Sequence, residues 1–579
     1  MKLMEKTDRA HNIRHTLAHL TAAAVRELWP GSQNAIGPTI ENGFYQDFEV
    51  AGTVTEEDLP KIEKKIRELI PKWTYLEKKE VTKEEALKEF AWNKYKTELI
   101  EEFAEEGKKL TFHNSPGLTD LCKGGHLENP AKELPLDCFK LDRVAGAYWR
   151  GDEKKKMLTR IYGLAFETKE ELDEYIKMRE EAEKRDHKKL GRELGLLMFH
   201  ETAPGMPYWL PKGLVLYKEL ENYWRKRHEE LGYLEIASPL VNKSELWKIS
   251  GHWDHYKDDM FIADMGENEV YGIKPMNCPN AMIVFKSMQV SYKDLPLRLS
   301  DTDRLHRYER SGVLNGLFRC RSFQQDDSHN YVTEEMIEEE YREIMGICKE
   351  FYGIFNLEYK FRLGTRPKDY LGDMETWDKA EKALHSVLEN SGKEYSVAEG
   401  DGAFYGPKID IVMKDAIGRD WQMGTIQLDF QQPRRFELEY TDKDGRKKTP
   451  VVIHRVIYGS LERFIGILIE HLAGAFPLWL SPVQVKVIPV RTNHNEYAKQ
   501  VFEMLKENDI RAELDDADEN LGSKVRDAKT NKIPYWIVIG DKEIEADKVT
   551  LESRDAGTLG QMSKEELIKK LLEEIKNKK

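Results

Sequence analysis

Residues 304–331, RLHRYERSGVLNGLFRCRSFQQDDSHNY, contain the pattern that decides the fold. Charged side chains flank a small-residue turn at Ser311-Gly312, which predicts a hairpin with arginines at its base. Guanidinium groups bind phosphate oxygens in a planar, often bidentate manner, so this hairpin can hold a polyphosphate. A charged hairpin taken alone is more often a solvated surface. The charged residues that carry the phosphate interpretation are Arg307, Glu309, Arg310, Arg319 and Arg321.

A second segment, GSLERFIGIL at residues 459–468, places Arg463 inside an otherwise apolar helical pattern. A buried charge is costly unless it has an anionic partner. Together, the arginine hairpin and the arginine helix favour a ligand that carries phosphate groups.

Composition places the chain among globular proteins. Its 579 residues are several times a common domain length of about 150, so several domains are expected. Apolar residues make up 40% and charged residues 34%, and no apolar stretch reaches the roughly 20 residues of a membrane span. Five cysteines are too few for a disulfide scaffold, and the start lacks the apolar core of a signal peptide, so a cytoplasmic location is expected. The net charge of −14 argues against an overall basic coat for nucleic acid, although local basic surfaces stay open.

Four regions differ in character and predict an α+β multidomain protein. Residues 1–165 open with a helical pattern that stops at Trp29-Pro30-Gly31. Residues 166–194 form a charge-dense pattern that predicts a solvated connector helix. Residues 195–480 contain strand-like runs that predict a large antiparallel sheet. In residues 481–579, strand and helix patterns alternate, which predicts a compact α/β domain.

Histidines and cysteines form two further sets. Cys278, His329 and His454 are far apart in sequence, without zinc-finger spacing, and each alone is more often structural. His15 and His19 are four residues apart and lie on one helix face, and the sequence DLCKGGH holds a cysteine and a histidine with the same spacing, Cys122 and His126. From spacing alone, this second set fits either a zinc site or an ordinary core helix.

In these motifs the chain resembles the class II aminoacyl-tRNA synthetases and, within that class, the threonyl-tRNA synthetase family. Residues 307–321 resemble motif 2, residues 459–468 resemble motif 3, and the segment ending in Ser238-Pro239 resembles motif 1, the usual dimer contact. The class I signatures HIGH and KMSKS do not occur in the sequence. The resemblance covers essentially the whole chain. It implies an antiparallel-sheet catalytic core, an N-terminal α+β editing domain and a C-terminal α/β anticodon-binding domain.

The resemblance also implies an activity, namely ATP-dependent ligation of L-threonine to tRNA(Thr) through threonyl-adenylate, by a homodimer that uses Mg²⁺ with ATP. In the nucleotide site, Arg307 is expected to neutralise the α-phosphate and Glu309 to accept from the adenine amino group. Phe323 and Arg463 are expected to enclose the base, and Arg319 to hold the distal phosphates.

For the amino acid, the resemblance implies one Zn²⁺ per subunit on Cys278, His329 and His454, with a coordination position open to substrate. Asp327 is expected to accept a hydrogen bond from the threonine hydroxyl, and His252 to activate the ribose hydroxyl. A site built for the hydroxyl rejects valine by about 10⁴-fold, whereas serine differs by one methyl group, worth only about 1–3 kcal/mol. The other residues expected to line the threonine pocket are Met276, Gln325, Tyr405 and Gln427.

Serine therefore requires a second, hydrolytic site. The first region resembles the editing domain shared by threonyl- and alanyl-tRNA synthetases, which implies hydrolysis of seryl-tRNA(Thr) without a required metal. The residues expected to hold the misacylated end and a water molecule are His15, His19, Lys96, Asp120, Cys122 and His126.

Several positions depart from the family pattern. Gly125 replaces a common proline, Gln46 replaces a frequent aromatic residue, and Asn280 stands where glycine is expected. The family's usual N-terminal ubiquitin-like domain is also expected to be absent. Anticodon contacts are expected from basic residues of the last region, although Glu552 replaces a frequent base-reading residue. The basic candidates are Lys524, Arg526, Lys542 and Arg554.

Three other functions stay open at this point. A prolyl enzyme has the same core and C-terminal domain, but proline chemistry does not call for the three metal ligands. A hydrolase that only edits charged tRNA has no need of the motif 2 and motif 3 arginines. A non-catalytic RNA-binding relative needs neither the motif arginines nor the three metal ligands.

Overall fold

The structure is a computed structural model that describes residues 2–267, 269–415 and 418–578, with side chains from residue 9 onward. The chain forms two compact units, Met1–Glu180 and Glu181–Lys579. Among the described residues, no helix combines the length and the apolar character needed to cross a bilayer.

The first unit combines helices with two antiparallel sheets. One sheet has the order β1-β3-β8-β7, with β2 paired to β3, and the other has the order β4-β5-β6. Its helices are α1 (Lys2–Leu28), α2 (Leu59–Leu69), α3 (Lys83–Glu89), α4 (Lys94–Glu105), α5 (Pro130–Glu133) and α6 (Lys169–Arg185), which contains the boundary between the units. Its strands are β1 (Gln33–Asn34), β2 (Thr39–Ile40), β3 (Gly43–Glu49), β4 (Glu77–Val81), β5 (Leu110–Ser115), β6 (Leu118–Leu121), β7 (Phe139–Tyr148) and β8 (Met157–Ala165).

Helix α1 is the central helix of the first unit. Ile13, Leu17 and Leu20 follow the helical period and are fully buried in the core of the unit. The helix ends at Leu28, directly before the predicted Trp29-Pro30-Gly31 stop, so that prediction is confirmed.

The second unit contains the remaining elements. Its helices are α7 (His187–Glu193), α8 (Pro211–Glu230), α9 (Ser244–Ser250), α10 (His252–His255), α11 (Cys278–Lys286), α12 (Ile337–Gly353), α13 (Met374–Ser391), α14 (Gln432–Arg435), α15 (Leu461–His471), α16 (Asn495–Glu507), α17 (Leu521–Thr530), α18 (Asp541–Ala546) and α19 (Lys564–Lys576). Its strands are β9 (Leu197–Met198), β10 (Tyr208–Trp209), β11 (Leu234–Ile236), β12 (Val241–Lys243), β13 (Ile262–Asp264), β14 (Val270–Ile273), β15 (Leu297–Asp301), β16 (Arg304–His306), β17 (Ser322–Gln324), β18 (Asp327–Val332), β19 (Lys360–Gly364), β20 (Tyr395–Ala398), β21 (Lys408–Lys414), β22 (Asp420–Asp429), β23 (Tyr440–Thr441), β24 (Lys447–Lys448), β25 (Val451–Val456), β26 (Val485–Pro489), β27 (Ala512–Leu514), β28 (Tyr535–Ile539), β29 (Val549–Ser553) and β30 (Gly557–Met562).

The main sheet of the second unit has the order β11-β15-β18-β25-β22-β21-β19-β20 in the part of the chain that the structure describes. Its six central strands are antiparallel, and a parallel strand closes each edge, β11 beside β15 and β20 beside β19. The prediction of a large antiparallel sheet is confirmed, with these parallel edge strands as an addition. Strand period then gives the sheet one buried face and one face for the site.

The buried face packs on a large apolar core, and it also holds a charged pair. Arg455 and Asp326 are both fully buried, with Nη1 and Oδ2 3.3 Å apart. Arg455 Nη2 lies 2.6 Å from Nε2 of His228 on α8, which connects that helix to the sheet. Asp326 also accepts from the backbone N–H groups of Ile457 and Tyr458, so its carboxylate holds the chain at the end of β25.

The connector differs from its prediction. Instead of one solvated helix over residues 166–194, the structure has α6 and α7, separated at Asp186. The Asp186 side chain accepts from the backbone N–H groups of Lys188 and Lys189, which caps a new helix. Helix α6 is mostly exposed, whereas α7 buries Leu190 in the core of the second unit. Charge density alone gave no signal for the cap.

The C-terminal region has a sheet of order β27-β26-β28-β29-β30 within the described residues. Strands β27, β26 and β28 are parallel, and the last two strands are antiparallel. The alternating strand and helix patterns of residues 481–579 therefore lead to an α/β arrangement, as predicted. The four regional boundaries predicted from the sequence stay a prediction.

The buried ion pair predicts a large stability effect. Asp326→Ala leaves Arg455 buried without its carboxylate, and breaking such a pair costs about 3–5 kcal/mol. Urea denaturation should show that loss in the free energy of unfolding of the second unit. As a control, Glu394→Ala removes an exposed pair with Lys360 and should change stability by no more than about 0.5 kcal/mol. Equal effects of the two variants would contradict the assignment.

Candidate active site

The candidate site lies on the other face of the main sheet. Across β22, β25 and β18, the register places Gln427 beside His454 and His454 beside His329. Two residues along the same strands, Thr425 pairs with Val456. Asp327, at the start of β18, is on the same face as His329 because side chains alternate along a strand. Residues far apart in sequence thus form one row.

Cys278, His329 and His454 come together as the resemblance implies. Each offers one ligand atom, and these atoms all lie within 4.8 Å of one another. All three residues are buried, and Cys278 enters the group as the first residue of α11. One cysteine and two histidines leave a tetrahedral metal ion with an open position. The group can therefore hold a metal ion that also binds substrate.

Two further observations fit a metal ion. Asp429 Oδ2 lies 2.9 Å from His454 Nε2 and fixes the orientation of that ring, as carboxylates do for metal-bound histidines. Asp429 itself is held by the backbone N–H groups of Gln431 and Gln432. His329 Nδ1 is buried and has no hydrogen-bond partner among the described residues. Sequence analysis missed Asp429, because its role depends on cross-strand pairing rather than on a local motif.

The metal-ligand group opens into a cavity of about 250 Å³. Asp327 accepts a hydrogen bond from Asn277 Nδ2 at 3.0 Å, and burial raises the pKa of this carboxyl group to about 6. Tyr405 donates to Gln427 Oε1 at 2.6 Å, which orients the amide. The lining includes every residue that the resemblance implies for threonine, namely Met276, Gln325, Asp327, Tyr405 and Gln427. Asn277 and Thr425 are site residues without a signal in the sequence.

His252 also lines this cavity. Its Nδ1 lies 2.7 Å from Ser250 Oγ, and its ring contacts Phe404 edge-on. Burial lowers the pKa of His252 to about 3, with a further contribution from nearby positive groups. The imidazole is therefore neutral at physiological pH, which leaves it able to accept a proton only from a group placed directly against it.

A second cavity, of about 320 Å³, adjoins the first. Both are lined by Arg307, Gln325, Thr425, Gln427 and Val456. The predicted nucleotide residues line the second cavity together, namely Arg307, Glu309, Arg319, Phe323 and Arg463. The structure thus places an amino-acid-sized space beside a larger polar space.

The hairpin arginines have different surroundings. Arg307 donates from Nε to the Pro275 carbonyl at 3.1 Å, and its guanidinium carbon lies 5.0 Å from the centre of the Phe323 ring. Arg319 pairs with Glu309 at 3.0 Å and is half exposed. Arg321 is buried and donates to the carbonyls of Glu309 and Pro204, so it holds the loop. The phosphate interpretation therefore fits Arg307 and Arg319 and does not fit Arg321.

Arg463 differs from the sequence expectation of an anionic partner. In the described residues no carboxylate lies within ion-pair distance of it, and its Nε donates to the Phe318 carbonyl at 2.8 Å. Burial lowers the pKa of Arg463, and the side-chain hydrogen bonds of this guanidinium go to the neutral carbonyls of Phe318 and Gln422. An anion in the adjoining cavity would compensate the charge of Arg463. Helix α15 has two buried acids, Glu462 and Glu470, and Glu462 accepts from the Gln324 backbone N–H.

The first unit contains a separate cluster. His15 Nε2 lies 3.3 Å and His126 Nε2 lies 3.1 Å from Cys122 Sγ, and the rings of His19 and His126 are 4.6 Å apart. One ligand atom from each of these four residues lies within 4.8 Å of the others, so a metal ion stays compatible with the spacing. Burial lowers the pKa of His15 to about 4 and raises that of the Cys122 thiol to about 11.

A buried ion pair flanks this cluster. Lys96 Nζ lies 2.5 Å from Asp120 Oδ1, and Asp120 Oδ2 lies 3.5 Å from His19 Nδ1. His113 pairs with Asp120 across β5 and β6, and its ring is 4.8 Å from that of His126. All six residues predicted for editing therefore come together. His113 is an additional member that sequence analysis missed, although its position opposite Asp120 follows from the hairpin.

Two departures from the family pattern have structural reasons. Gly125 has φ +88°, a conformation that proline cannot adopt, so the loop before His126 has a backbone that requires glycine. Gln46 is buried and donates from Nε2 to the Ile36 carbonyl, which gives its polar group a partner.

The basic candidates of the last region separate into two pairs. Lys524 is buried and donates to the Asp515 carbonyl, and Arg554 donates to the Lys532 and Phe476 carbonyls. The expectation of an anticodon contact is wrong for Lys524, because its ammonium group is enclosed by the protein. Arg554 is held by carbonyl groups of the second unit. Arg526 and Lys542 are exposed.

Comparisons with known families agree with this geometry. Residues 261–472 match the family model described as tRNA synthetase class II core domain (G, H, P, S and T), and residues 484–574 match the model described as Anticodon binding domain. The main sheet, the arginine hairpin and the arginine helix are therefore those of a class II aminoacyl-tRNA synthetase.

Similar proteins identify the family within this class. The chain is 52% identical to a threonine–tRNA ligase of Clostridium botulinum over 98% of this chain and 89% of that protein. It is 51% identical to a threonine–tRNA ligase of Caldanaerobacter subterraneus over 97% of this chain and 87% of that one. A crystal structure of the RNA binding domain of threonyl-tRNA synthetase from Cryptosporidium parvum has a TM-score of 0.65 and 41% identity, and covers 67% of this chain and 98% of that chain. The chain belongs to the threonine–tRNA ligase family.

Proposed function

We propose that this chain ligates L-threonine to tRNA(Thr) in two steps. The threonine carboxylate attacks the α-phosphorus of Mg²⁺-bound ATP, which forms threonyl-adenylate and releases pyrophosphate. The acyl group then passes to the terminal ribose of tRNA(Thr), and AMP leaves. The observation that carries this proposal is the pair of adjoining cavities that have Arg307 and Gln325 in common. The amino acid and the nucleotide can meet there.

In the nucleotide cavity, the proposed roles follow from position and charge. Arg307, in the wall common to both cavities, is placed to neutralise charge that develops on the α-phosphate. Phe323 and Arg463 offer a ring and a guanidinium plane to the adenine base, and Glu309 offers an acceptor to its amino group. Arg319 can exchange its pairing with Glu309 for the distal phosphates. The protein thus acts mainly by positioning and charge stabilisation.

In the amino-acid cavity, Cys278, His329 and His454 would hold the proposed Zn²⁺, with Asp429 orienting His454. When bound there, zinc would act as a Lewis acid toward the amino and hydroxyl groups of a substrate. Asp327 is positioned by Asn277 to accept from the same hydroxyl. Valine offers no hydroxyl, so Asp327 would lack the hydrogen bond from substrate, which supports rejection by about 10⁴-fold.

His252 is the proposed acceptor of the ribose proton in the second step. Its buried, neutral ring lines the amino-acid cavity, and Ser250 fixes the ring orientation. A base with a lowered pKa is a weak acceptor, so proximity to the ribose hydroxyl has to supply much of the effect.

Nucleotide chemistry gives a direct test. Arg307→Ala and Arg463→Ala should each lower threonine-dependent ATP–pyrophosphate exchange by about 10²–10³-fold, because each removes a charge that stabilises the transferring phosphorus or the base. Circular dichroism should show unchanged folding. Arg526→Ala, an exposed arginine of the C-terminal region, is the control and should exchange normally. Near-normal exchange in either site variant would refute the assignment of the cavity.

Metal content gives a second test. Purified protein should carry about one zinc per chain, and Cys278→Ala should lose both the metal and threonine activation. Cys348→Ala, which removes a buried thiol outside the metal-ligand group, should keep both. Full exchange activity in a zinc-free Cys278→Ala protein would contradict the proposed role. A second zinc ion per chain that is lost on His15→Ala combined with His19→Ala would indicate that the cluster of the first unit also binds metal.

For the first unit, we propose hydrolysis of seryl-tRNA(Thr) without a metal. The histidines and Cys122 form a cluster beside the Lys96–Asp120 pair, and the donors and acceptors of this cluster would hold an ester and a water molecule. The low pKa of His15 keeps its ring neutral and able to accept a proton from that water. A pocket that rejects the extra methyl group of threonine accepts a seryl ester.

Editing predicts a separable defect. His15→Ala combined with His19→Ala should preserve threonyl-tRNA formation while seryl-tRNA(Thr) accumulates, because only the hydrolytic site is altered. The measurement is deacylation of preformed seryl-tRNA(Thr), with His200→Ala, an exposed histidine of the second unit, as the control. Deacylation by the double variant at the parental rate would show that the cluster is not an editing site. Loss of deacylation on zinc removal would overturn the metal-free mechanism.

We also propose a homodimer through the segment that resembles motif 1. Strand β11 is an edge strand, and apolar side chains are exposed beside it, with Leu234 50%, Leu240 41% and Val241 52% accessible. Exposed apolar residues at a sheet edge are typical of an interface. Light scattering should give twice the mass of the chain, and a fully active monomer would contradict the proposal.

The remaining proposals concern tRNA and location. Arg526 and Lys542, which are exposed in the C-terminal region, are the proposed anticodon contacts, although the exchange reaction does not require them. The five cysteines are free thiols, which fits the cytoplasmic location expected from the composition.

A further inference from the structure

His187 is a buried histidine that none of the proposed steps uses. It is the first residue of α7 and is only 1% exposed, in a segment that the sequence predicts to be a solvated connector. Its Nδ1 lies 2.8 Å from Glu470 Oε1, and its Nε2 lies 3.0 Å from the Leu317 backbone nitrogen. Since Nε2 accepts from an N–H group, the ring hydrogen is on Nδ1 and is donated to Glu470.

Leu317 belongs to the tight turn at the end of the arginine hairpin. In this turn Asn315 donates from its backbone to the Arg319 carbonyl, and Phe318 donates to the Asn315 carbonyl. The His187 ring faces the Phe318 ring, with centroids 4.2 Å apart. Gly316 has φ +51°, and a Cβ there would lie 2.4 Å from His187 Nε2. The turn can therefore close on the ring only with glycine at this position.

These contacts connect His187, the turn and α15 at the wall of the nucleotide cavity. Glu470 and Arg463 both belong to α15, and Arg463 donates from Nε to the Phe318 carbonyl at 2.8 Å. His187 thus connects one end of α15 to the turn, and the turn connects back to the start of α15. Phe318, Arg319 and Arg463 all line the nucleotide cavity.

We propose that His187 is a positioning residue for ATP binding, an inference that rests on the proposed function of this cavity. By holding the Leu317 N–H and the Phe318 ring, His187 fixes the turn against α15. The wall that carries Arg319 and Arg463 is then formed before the nucleotide arrives. Preformed geometry lowers the cost of ordering these side chains on binding.

The test is ATP–pyrophosphate exchange at saturating threonine with ATP varied. His187→Ala removes the acceptor for Leu317 and should raise the KM for ATP about tenfold, the size expected for loss of one buried hydrogen bond and the order that it maintains. The KM for threonine should not change, because the amino-acid cavity does not contact the turn. A parental KM for ATP in a folded His187→Ala protein would overturn the proposal.

Two amide variants distinguish positioning from general stability. A glutamine amide reaches the place of Nε2 and can accept from Leu317, whereas an asparagine amide reaches only the place of Nδ1 and can donate to Glu470. His187→Gln should therefore restore the KM for ATP toward the parental value, and His187→Asn should not. If His187 had only a structural role, both variants would have a lower thermal midpoint and a parental KM for ATP. That result would refute the inference.

His494→Ala is the matched control. His494 is also buried, lies 3.0 Å from the Asp541 carboxylate and accepts from the Arg491 backbone N–H, but it belongs to the C-terminal region and does not line the cavity. Its loss should leave the KM for ATP unchanged. If His187→Ala does not fold, Gly316→Ala tests the same contact from the turn and should raise the same KM.

Exchange by the parent protein distinguishes failure of the proposed function from failure of the role of His187. Absence of threonine-dependent exchange in the parent would refute the proposed function itself. Exchange in the parent, together with a parental KM for ATP in His187→Ala or in Gly316→Ala, would overturn only the role of His187.

Discussion

The register of β18, β25 and β22 is the constraint on which the second unit depends. It aligns His329, His454 and Gln427 on one face and, by strand alternation, turns Arg455 to the other. A shift by one residue in β25 would bury His454 in the apolar core and expose Arg455. The charged pair of Arg455 with Asp326 therefore fixes the same register that assembles the site.

Much of this arrangement could be predicted from the sequence. The arginine hairpin and the arginine helix pointed to the nucleotide cavity because both place arginines in a recognisable pattern, whereas the metal-ligand group and the threonine pocket followed only from the family resemblance. The helical period of α1 and its stop at Trp29-Pro30-Gly31 were equally readable, since apolar spacing and turn residues act locally.

Other features could not be predicted, for reasons that are also physical. Asp429 and Asn277 orient site residues from elements distant in sequence, so no local pattern marks them. Arg463 lacks the anionic partner that its burial suggests, because the protein leaves that charge facing a cavity. Lysine side chains are usually exposed, yet Lys524 is buried and donates a hydrogen bond to the backbone carbonyl of Asp515. In each case the role of the residue depends on its three-dimensional surroundings.

The wall common to the two cavities has a thermodynamic consequence. Arg307 and Gln325 line both cavities, so a ligand in one cavity would contact side chains that also face the other. Any factor by which a nucleotide changes the affinity for an amino acid must then equal the factor by which the amino acid changes the affinity for the nucleotide. Two ligands that exchange no proton or electron before reaction would thus be linked through side chains that both of them contact.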